Sequence, residues 1–152
     1  MIQKQDERWM RLALEEARQA FAEEEVPVGC VVVHQGRLIG RGHNSVERLN
    51  DPTAHAETLA ISAAATTLGT WRLTDCELFA TLEPCTMCIG AIHLARISRL
   101  VFGASDPKFG ACGSILDVPS ETRWNHQVLV EGGVLAEESA QLMRDFFQRL
   151  RH

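Results

Sequence analysis

Two short segments, His55-Ala-Glu57 and Pro84-Cys-Thr-Met-Cys88, constrain this chain more than anything else in it, because their side chains make sense only if the fold brings them together. One imidazole and two thiolates are zinc ligands of the right softness, and the C-x-x-C spacing lets both sulfurs reach a single ion. A structural zinc site normally closes with four protein ligands, whereas a catalytic one keeps its fourth position for water. Glu57, two residues from the histidine, is within reach of that water as a proton carrier. The pattern reads as a zinc hydrolase. Two other readings compete. A redox pair at Cys85 and Cys88 would leave His55 and Glu57 without a role. A structural site would recruit a fourth ligand from Cys76, His93 or Cys112, although none has a spacing that pairs it with His55.

The 152 residues are read as one domain, 1–152, long enough to bury a core. The start, Met-Ile-Gln-Lys-Gln-Asp-Glu-Arg, is polar, unlike a secretory signal, and no apolar run approaches the roughly 18 residues of a membrane helix. No membrane partner is expected. Cys30, Cys76 and Cys112 lie in apolar or Gly-rich surroundings and are expected to be buried thiols, which fits a reducing cytoplasm. The net charge of −5 argues against non-specific nucleic-acid binding, and no DNA partner is expected. A local basic surface is still open to the chain. Of its 15 basic residues 13 are arginine and only Lys4 and Lys108 are lysine, and arginine suits phosphate contacts and stacking on unpaired bases. Acidic residues gather at Glu15, Glu16 and Glu23 to Glu25, whereas the tail carries Arg144, Arg149, Arg151 and His152.

Periodicity predicts an amphipathic helix over 6–24, with Trp9, Leu12, Ala13, Ala17, Ala20 and Phe21 on one face, ended by Val26-Pro27. Val28 to Val33 reads as a buried strand, turned by Gln35-Gly36 into a second strand from Arg37 to Gly42. His43 to Asp51 reads as polar loop. A small-faced helix (Ala56, Leu59, Ala60, Ala63, Ala64) is expected from Thr53 or Ala54 to Leu68-Gly69. A strand over 76–82 follows, then a helix beginning at Pro84 and running to about Arg96. Strands over Arg99–Gly103 and Gln127–Glu131 and a last helix near Leu135–Leu150 complete the pattern. That helix is expected to bury Leu135, Leu142, Met143, Phe146 and Phe147. Helices alternating with strands imply an α/β sandwich, with both halves of the metal motif at helix starts beyond strand ends. His34, His43 and His93 read as ordinary core or surface histidines.

H-x-E followed by P-C-x-x-C is the signature of zinc nucleobase deaminases. The likeness goes further in Glu25-Val-Pro-Val-Gly29, Asn50-Asp-Pro-Thr-Ala-His-Ala-Glu57, Thr81-Leu-Glu-Pro-Cys-Thr-Met-Cys88 and Val101-Phe-Gly-Ala-Ser-Asp-Pro-Lys108. With Gly110-Ala-Cys-Gly-Ser114, Trp124-Asn-His126 and the ending Asp145-Phe-Phe-Gln-Arg-Leu-Arg151, these segments resemble the bacterial tRNA-specific adenosine deaminases from about Trp9 to Arg151. The resemblance implies a cytidine deaminase-like fold, a three-layer α/β/α sandwich around a five-stranded mixed sheet. It implies a cytoplasmic homodimer that binds a tRNA anticodon stem-loop and converts the wobble adenosine to inosine. By position, His55, Cys85 and Cys88 would hold one Zn2+ per subunit, and Glu57 would be the catalytic proton carrier. Val28, Asn44 and Ala56 would line the base pocket, and Asp106, Lys108, Asn125, Phe146 and Phe147 would contact the anticodon loop. The runner-up is a small-molecule deaminase of guanine or cytosine using the same zinc centre. A catalytically silent zinc protein that binds RNA is the third reading, against which Glu57 speaks. The ending carries fewer basic residues than that of many family members, which implies weaker and less salt-dependent RNA binding.

Overall fold

The computed structural model describes residues 1–151, so His152 lies outside it. Five strands form one mixed sheet: β1 (Gly29–His34), β2 (Arg37–His43), β3 (Cys76–Leu82), β4 (Arg99–Ala104) and β5 (Leu129–Gly132). Their order is β2-β1-β3-β4-β5, with β1 antiparallel to both β2 and β3, and β3, β4 and β5 mutually parallel. Strand alternation sorts the core into two layers. Val31 and Val33 turn to α1 (Asp6–Ala22), where Trp9, Met10 and Ala13 meet them, and α5 (Ala136–Leu150) packs on the same side against β4 and β3. Cys30 and Val32 turn the other way, into a core shared with Ala56, Ala60 and Ala64 of α3 (Ala56–Leu68) and Ile89 and Ile92 of α4 (Thr86–Leu94). The expected three-layer sandwich with a five-stranded mixed sheet is therefore the observed one.

The alanine face of α3 explains where the site sits. A Cβ at Gly40 would lie 2.5 Å from the Ala60 carbonyl, and one at Gly42 would lie 2.9 Å from the Ala56 carbonyl. Small residues on both sides let the helix lie directly on β2, which carries its first turn to the end of the sheet. The crossover helix α4 begins at the same end, beyond β3. Both starts meet at the strand ends, where open α/β sheets present ligand sites.

Local readings shift in five places. Residues 43–51 hold a four-residue helix, α2 (Val46–Leu49), too short to show a period in sequence. Pro84 precedes the first turn: Cys85 is the N-cap of α4, and the helix stops at Leu94 because Arg96 is left-handed (φ 68°). The helix α1 ends at Ala22, just before Glu24 at φ 63°, and β5 runs two residues later at its start than expected. On α5, Phe146 is buried against Phe21 at 5.7 Å, whereas Leu135, Leu142 and Met143 are half-buried and Phe147 is exposed. Among the described residues no helix is long and apolar enough to cross a membrane.

Candidate active site

His55 and Cys85 are the N-cap residues of α3 and α4, both in extended backbone (φ −82°, ψ 156° and φ −78°, ψ 178°), and Cys88 lies in the first turn of α4. An N-cap side chain normally satisfies a free helix N–H, worth about 1 kcal/mol. Neither of these does so. They turn to each other instead: His55 Nδ1 lies 3.6 Å from Cys85 Sγ and 3.5 Å from Cys88 Sγ. A tetrahedral zinc with Zn–S of about 2.3 Å and Zn–N of about 2.0–2.1 Å has an N···S edge of about 3.6 Å, so the donor set fits that ion in chemistry and spacing. Cys76, His93 and Cys112 do not join the cluster among the described residues, which removes the support for a four-ligand structural site. The turn ahead of His55 is fixed by Asp51, whose Oδ1 accepts the Thr53 N–H at 2.8 Å and hydroxyl at 2.7 Å. Thr58 then donates to the carbonyls of Thr53 and His55 at 2.8 and 3.0 Å.

The electrostatics separate the metal thiols from the others. A hydrogen bond from Cys88, against the cost of burial and with help from His55, pulls the Cys85 thiol down to about 4. As the partner of that thiolate, and buried, Cys88 holds its own proton more tightly. Helix N-termini add to the preference for thiolate, which is the form a metal takes up. Burial pushes Cys76 up to about 11 and Cys112 up to about 12, and raises Cys30 well above the ordinary thiol range, so these three keep their protons at neutral pH. Glu57 is buried, and that burial lifts its carboxyl to about 7 against the opposing pull of His55.

Two of the three ligands, His55 and Cys85, lie at the floor of an open groove of about 2400 Å³, and the third, Cys88, is buried. His55, Glu57 and Cys85 border it from below, and Val28, Asn44, Ala56, Asp106, Lys108, Phe146 and Phe147 line it as well. Asn125 lies outside it, exposed between the 3-10 turn Val118–Ser120 and β5. Asn44 is buried, with its N–H on the Val28 carbonyl at 3.1 Å, and its side-chain amide has no hydrogen-bond partner among the described residues. Asp106 begins a turn, its Oδ1 accepting the N–H groups of Lys108 and Phe109 at 3.0 and 3.3 Å.

Sequence reasoning missed the two carboxylates that hold the rim of this groove. Glu25, 1% exposed, accepts the N–H groups of Glu47 and Arg48 at 3.0 and 2.7 Å and so caps α2. Glu83 does the same for the loop after β4, and its bonds to Ser114 and backbone N–H groups hold its carboxyl below the usual range despite burial. The available signal was an acid next to Val26-Pro27 or inside Leu82-Glu-Pro84, since a charge in an apolar run must find partners. His43 was also read too plainly: its ring nitrogens meet Glu16 at 2.8 Å and Glu23 at 3.0 Å, tying the end of β2 to α1.

Residues 3–104 match the family model described as the cytidine and deoxycytidylate deaminase zinc-binding region. The tRNA-specific adenosine deaminase of Bacillus subtilis strain 168 is 47% identical over 147 residues, 97% of this chain and 91% of the relative. That of Aquifex aeolicus strain VF5 is 47% identical over 146 residues, 96% of each chain. A structure from work on A-to-I editing by tRNA:A34 deaminases superposes with a TM-score of 0.85 at 47% identity, covering 89% of this chain and 98% of that one. The guanine deaminase from Nitrosomonas europaea superposes with a TM-score of 0.78 at 30% identity, covering 92% of this chain and 83% of that one.

Proposed function

Because the chain belongs to the cytidine and deoxycytidylate deaminase zinc-binding family, and within it to the tRNA-specific adenosine deaminases, we propose that it converts adenosine to inosine at the wobble position of a tRNA anticodon by zinc-dependent hydrolysis. The observation that carries this reading is the three-donor cluster, with His55 Nδ1 at 3.5 and 3.6 Å from two sulfurs, opening on a groove that Glu57 and the free amide of Asn44 also border. When bound, zinc supplies Lewis-acid activation of water at neutral pH. Glu57 takes a proton from the attacking water and gives it to the ring nitrogen beside the amino-bearing carbon of adenine. It then takes the second proton of the water oxygen, now on that carbon, and passes it to the amino group, which leaves as ammonia, so water is consumed and one C–N bond is broken. Asn44 hydrogen-bonds the flipped nucleoside through its amide. Ala56 offers backbone groups to the purine edge, and Val28 forms the apolar wall.

Asp106, Lys108, Phe146 and Phe147 meet the rest of the anticodon loop, whose unpaired bases splay out and are read singly. Phe147 is the more exposed of the two rings and the one that stacks on a base, and Phe146, packed against both Phe21 and Phe147, backs it. The residues 1–152 act as one deaminase domain in the cytoplasm, where the cysteines stay reduced; none of the five is paired in a disulfide. The working unit is a homodimer. The helix α4, Thr-Met-Cys-Ile-Gly-Ala-Ile-His-Leu, carries no acidic or basic charge apart from His93 and is apolar on every side, which calls for cover on every side. Yet Leu94 is exposed, and nearby Trp124, its ring tilted against His93 at 5.4 Å, is exposed, as are Ile115 and Leu116. A second copy on this face would bring Asn125 toward the neighbouring groove. Sedimentation of the wild-type protein and of Leu94→Arg tests this, with dimer expected for the first and monomer for the second.

The decisive assay is inosine formation on a short anticodon stem-loop with adenosine at the wobble position, run beside ammonia release from free guanine, cytosine and adenosine. Conversion of the stem-loop alone is expected. Activity on a free base alone would make the chain a small-molecule deaminase and discard the RNA contacts.

A further inference from the structure

The carboxylate of Glu83 lies between the end of β3 and the first ligand of α4, 3% exposed. All four of its hydrogen bonds go to one loop. Its Oε1 accepts the Asp106 N–H at 3.0 Å and the Ser114 hydroxyl at 2.5 Å. Its Oε2 accepts the N–H groups of Cys112 at 2.9 Å and Ser114 at 3.1 Å. The backbone reinforces the attachment: the Glu83 N–H donates to the Ala104 carbonyl at 2.8 Å, and the Ala111 N–H donates to the Pro84 carbonyl at 2.9 Å. A side chain at Gly110 would collide with the carboxylate, so the loop closes directly over it. One acid thus links the segment that carries Cys85 and Cys88 to the segment that carries Asp106 and Lys108.

We propose that Glu83 is a positioning residue for RNA recognition. Its carboxylate sets the height and register of residues 105–116 against the metal-binding helix, so that Asp106 and Lys108 stand at the edge of the groove. This role rests on the RNA-substrate reading given above. Two N–H donors and a hydroxyl beside a further N–H suit an acceptor-only group, which a carboxylate is and an amide is not. Glutamine keeps the shape but has a single oxygen. With that oxygen in the Oε2 position, Cys112 and Ser114 keep their bonds, and the Ser114 hydroxyl rotates to accept from the new NH2 group. The Asp106 N–H is then left facing a donor. The opposite orientation orphans two backbone groups and is the poorer choice. Glu83→Gln therefore frees the loop at the residue assigned to RNA and spares the zinc floor.

The test uses the zinc-loaded protein and two readouts. Amide hydrogen exchange in residues 105–112 of Glu83→Gln is expected to quicken by about tenfold or more, with the first turns of α3 and α4 unchanged and zinc still at one per chain. Steady-state editing of the stem-loop is expected to show KM raised about tenfold with kcat nearly intact. Ser114→Ala removes only the hydroxyl bond, and should move both readouts the same way by less; it decides the matter if Glu83→Gln fails to fold. Unchanged loop exchange, or a fall in kcat at constant KM, would overturn the proposal. Failure of the wild-type protein to edit the stem-loop would instead overturn the RNA reading and the recognition role with it, leaving loop exchange to report the tether alone.

Discussion

At the floor of the groove, the three metal ligands ride on the first turns of two helices that the sheet holds from below. At its rim, the segments 44–49 and 105–116 are each anchored by a buried acid, Glu25 and Glu83, contributed by a distant part of the chain, with a few backbone bonds beside it. The two regions reach order by different routes. The floor gets its geometry from regular structure: α3 sits where Gly40 and Gly42 let it approach, and α4 follows β3 at a fixed distance. The rim gets its geometry largely from satisfying backbone N–H groups with buried carboxylates. Under the proposed function, chemistry that tolerates little displacement would ride on helix starts, and part of the recognition on loops held over a rigid scaffold.

If that division is right, damage to the floor should abolish the reaction, and damage to the rim should only weaken binding. The largest effect is expected from His55→Ala, which removes the only nitrogen donor. Zinc content by metal analysis should fall from one per chain to near zero, and editing should vanish with it; a chelator should do the same to the wild type. Full zinc occupancy in this variant would mean that the ligand set is wrong. Next comes Glu57→Gln, which should keep its zinc and lose roughly 10²- to 10⁴-fold in rate. A near-normal rate would remove the proton-carrier role while leaving the metal site intact.

The floor was also the part most legible in sequence, and the reason is physical. Residues two or three apart on a helix start have a fixed relation, so His55, Glu57, Cys85 and Cys88 could be read as one centre before any fold was known. Val28 to Val33 was legible as a buried strand from its apolar run, but only the structure sorts Val31 and Val33 into one core layer and Cys30 and Val32 into the other. The rim was not, because nothing local marks Glu83 as the acceptor for Ser114, 31 residues away. The short α2 hid for the same reason, since its cap comes from Glu25, 22 residues before Glu47. Phe146 and Phe147 show the limit of pattern reading: adjacent residues of one type take different fates, one buried between Phe21 and its neighbour and the other with its outer side in solvent. Which relatives the chain resembles settled its family, but burial distinguished these two rings.

Between floor and rim stands Asn44, whose backbone is pinned to Val28 while its amide is free. Asn44→Ala should lower kcat/KM for the stem-loop by about 10- to 100-fold, the cost of a buried substrate group left without its partner. Zinc content and thermal stability should stay near wild type, because no protein bond is lost. A large fall in stability would reassign the residue to the scaffold.

The smallest effect belongs to the outer rim and is best read against salt. Lys108 is exposed with no ion-pair partner among the described residues, and Arg149 lies over the Phe21 ring at 5.7 Å with its charge still open to solvent. Replacing both with alanine should weaken stem-loop binding and leave zinc content unchanged. If each side chain neutralises one phosphate, the slope of log K against log salt should become shallower by about 1.4, at ~0.7 for each single-stranded contact. This reading separates charge from shape. A loss of affinity with an unchanged slope would mean that the two residues act through packing, Arg149 by holding Phe21 and Lys108 by holding its loop. An unchanged affinity would move the phosphate path to another face of the groove, leaving the outer rim to Phe147 and the tethered loop.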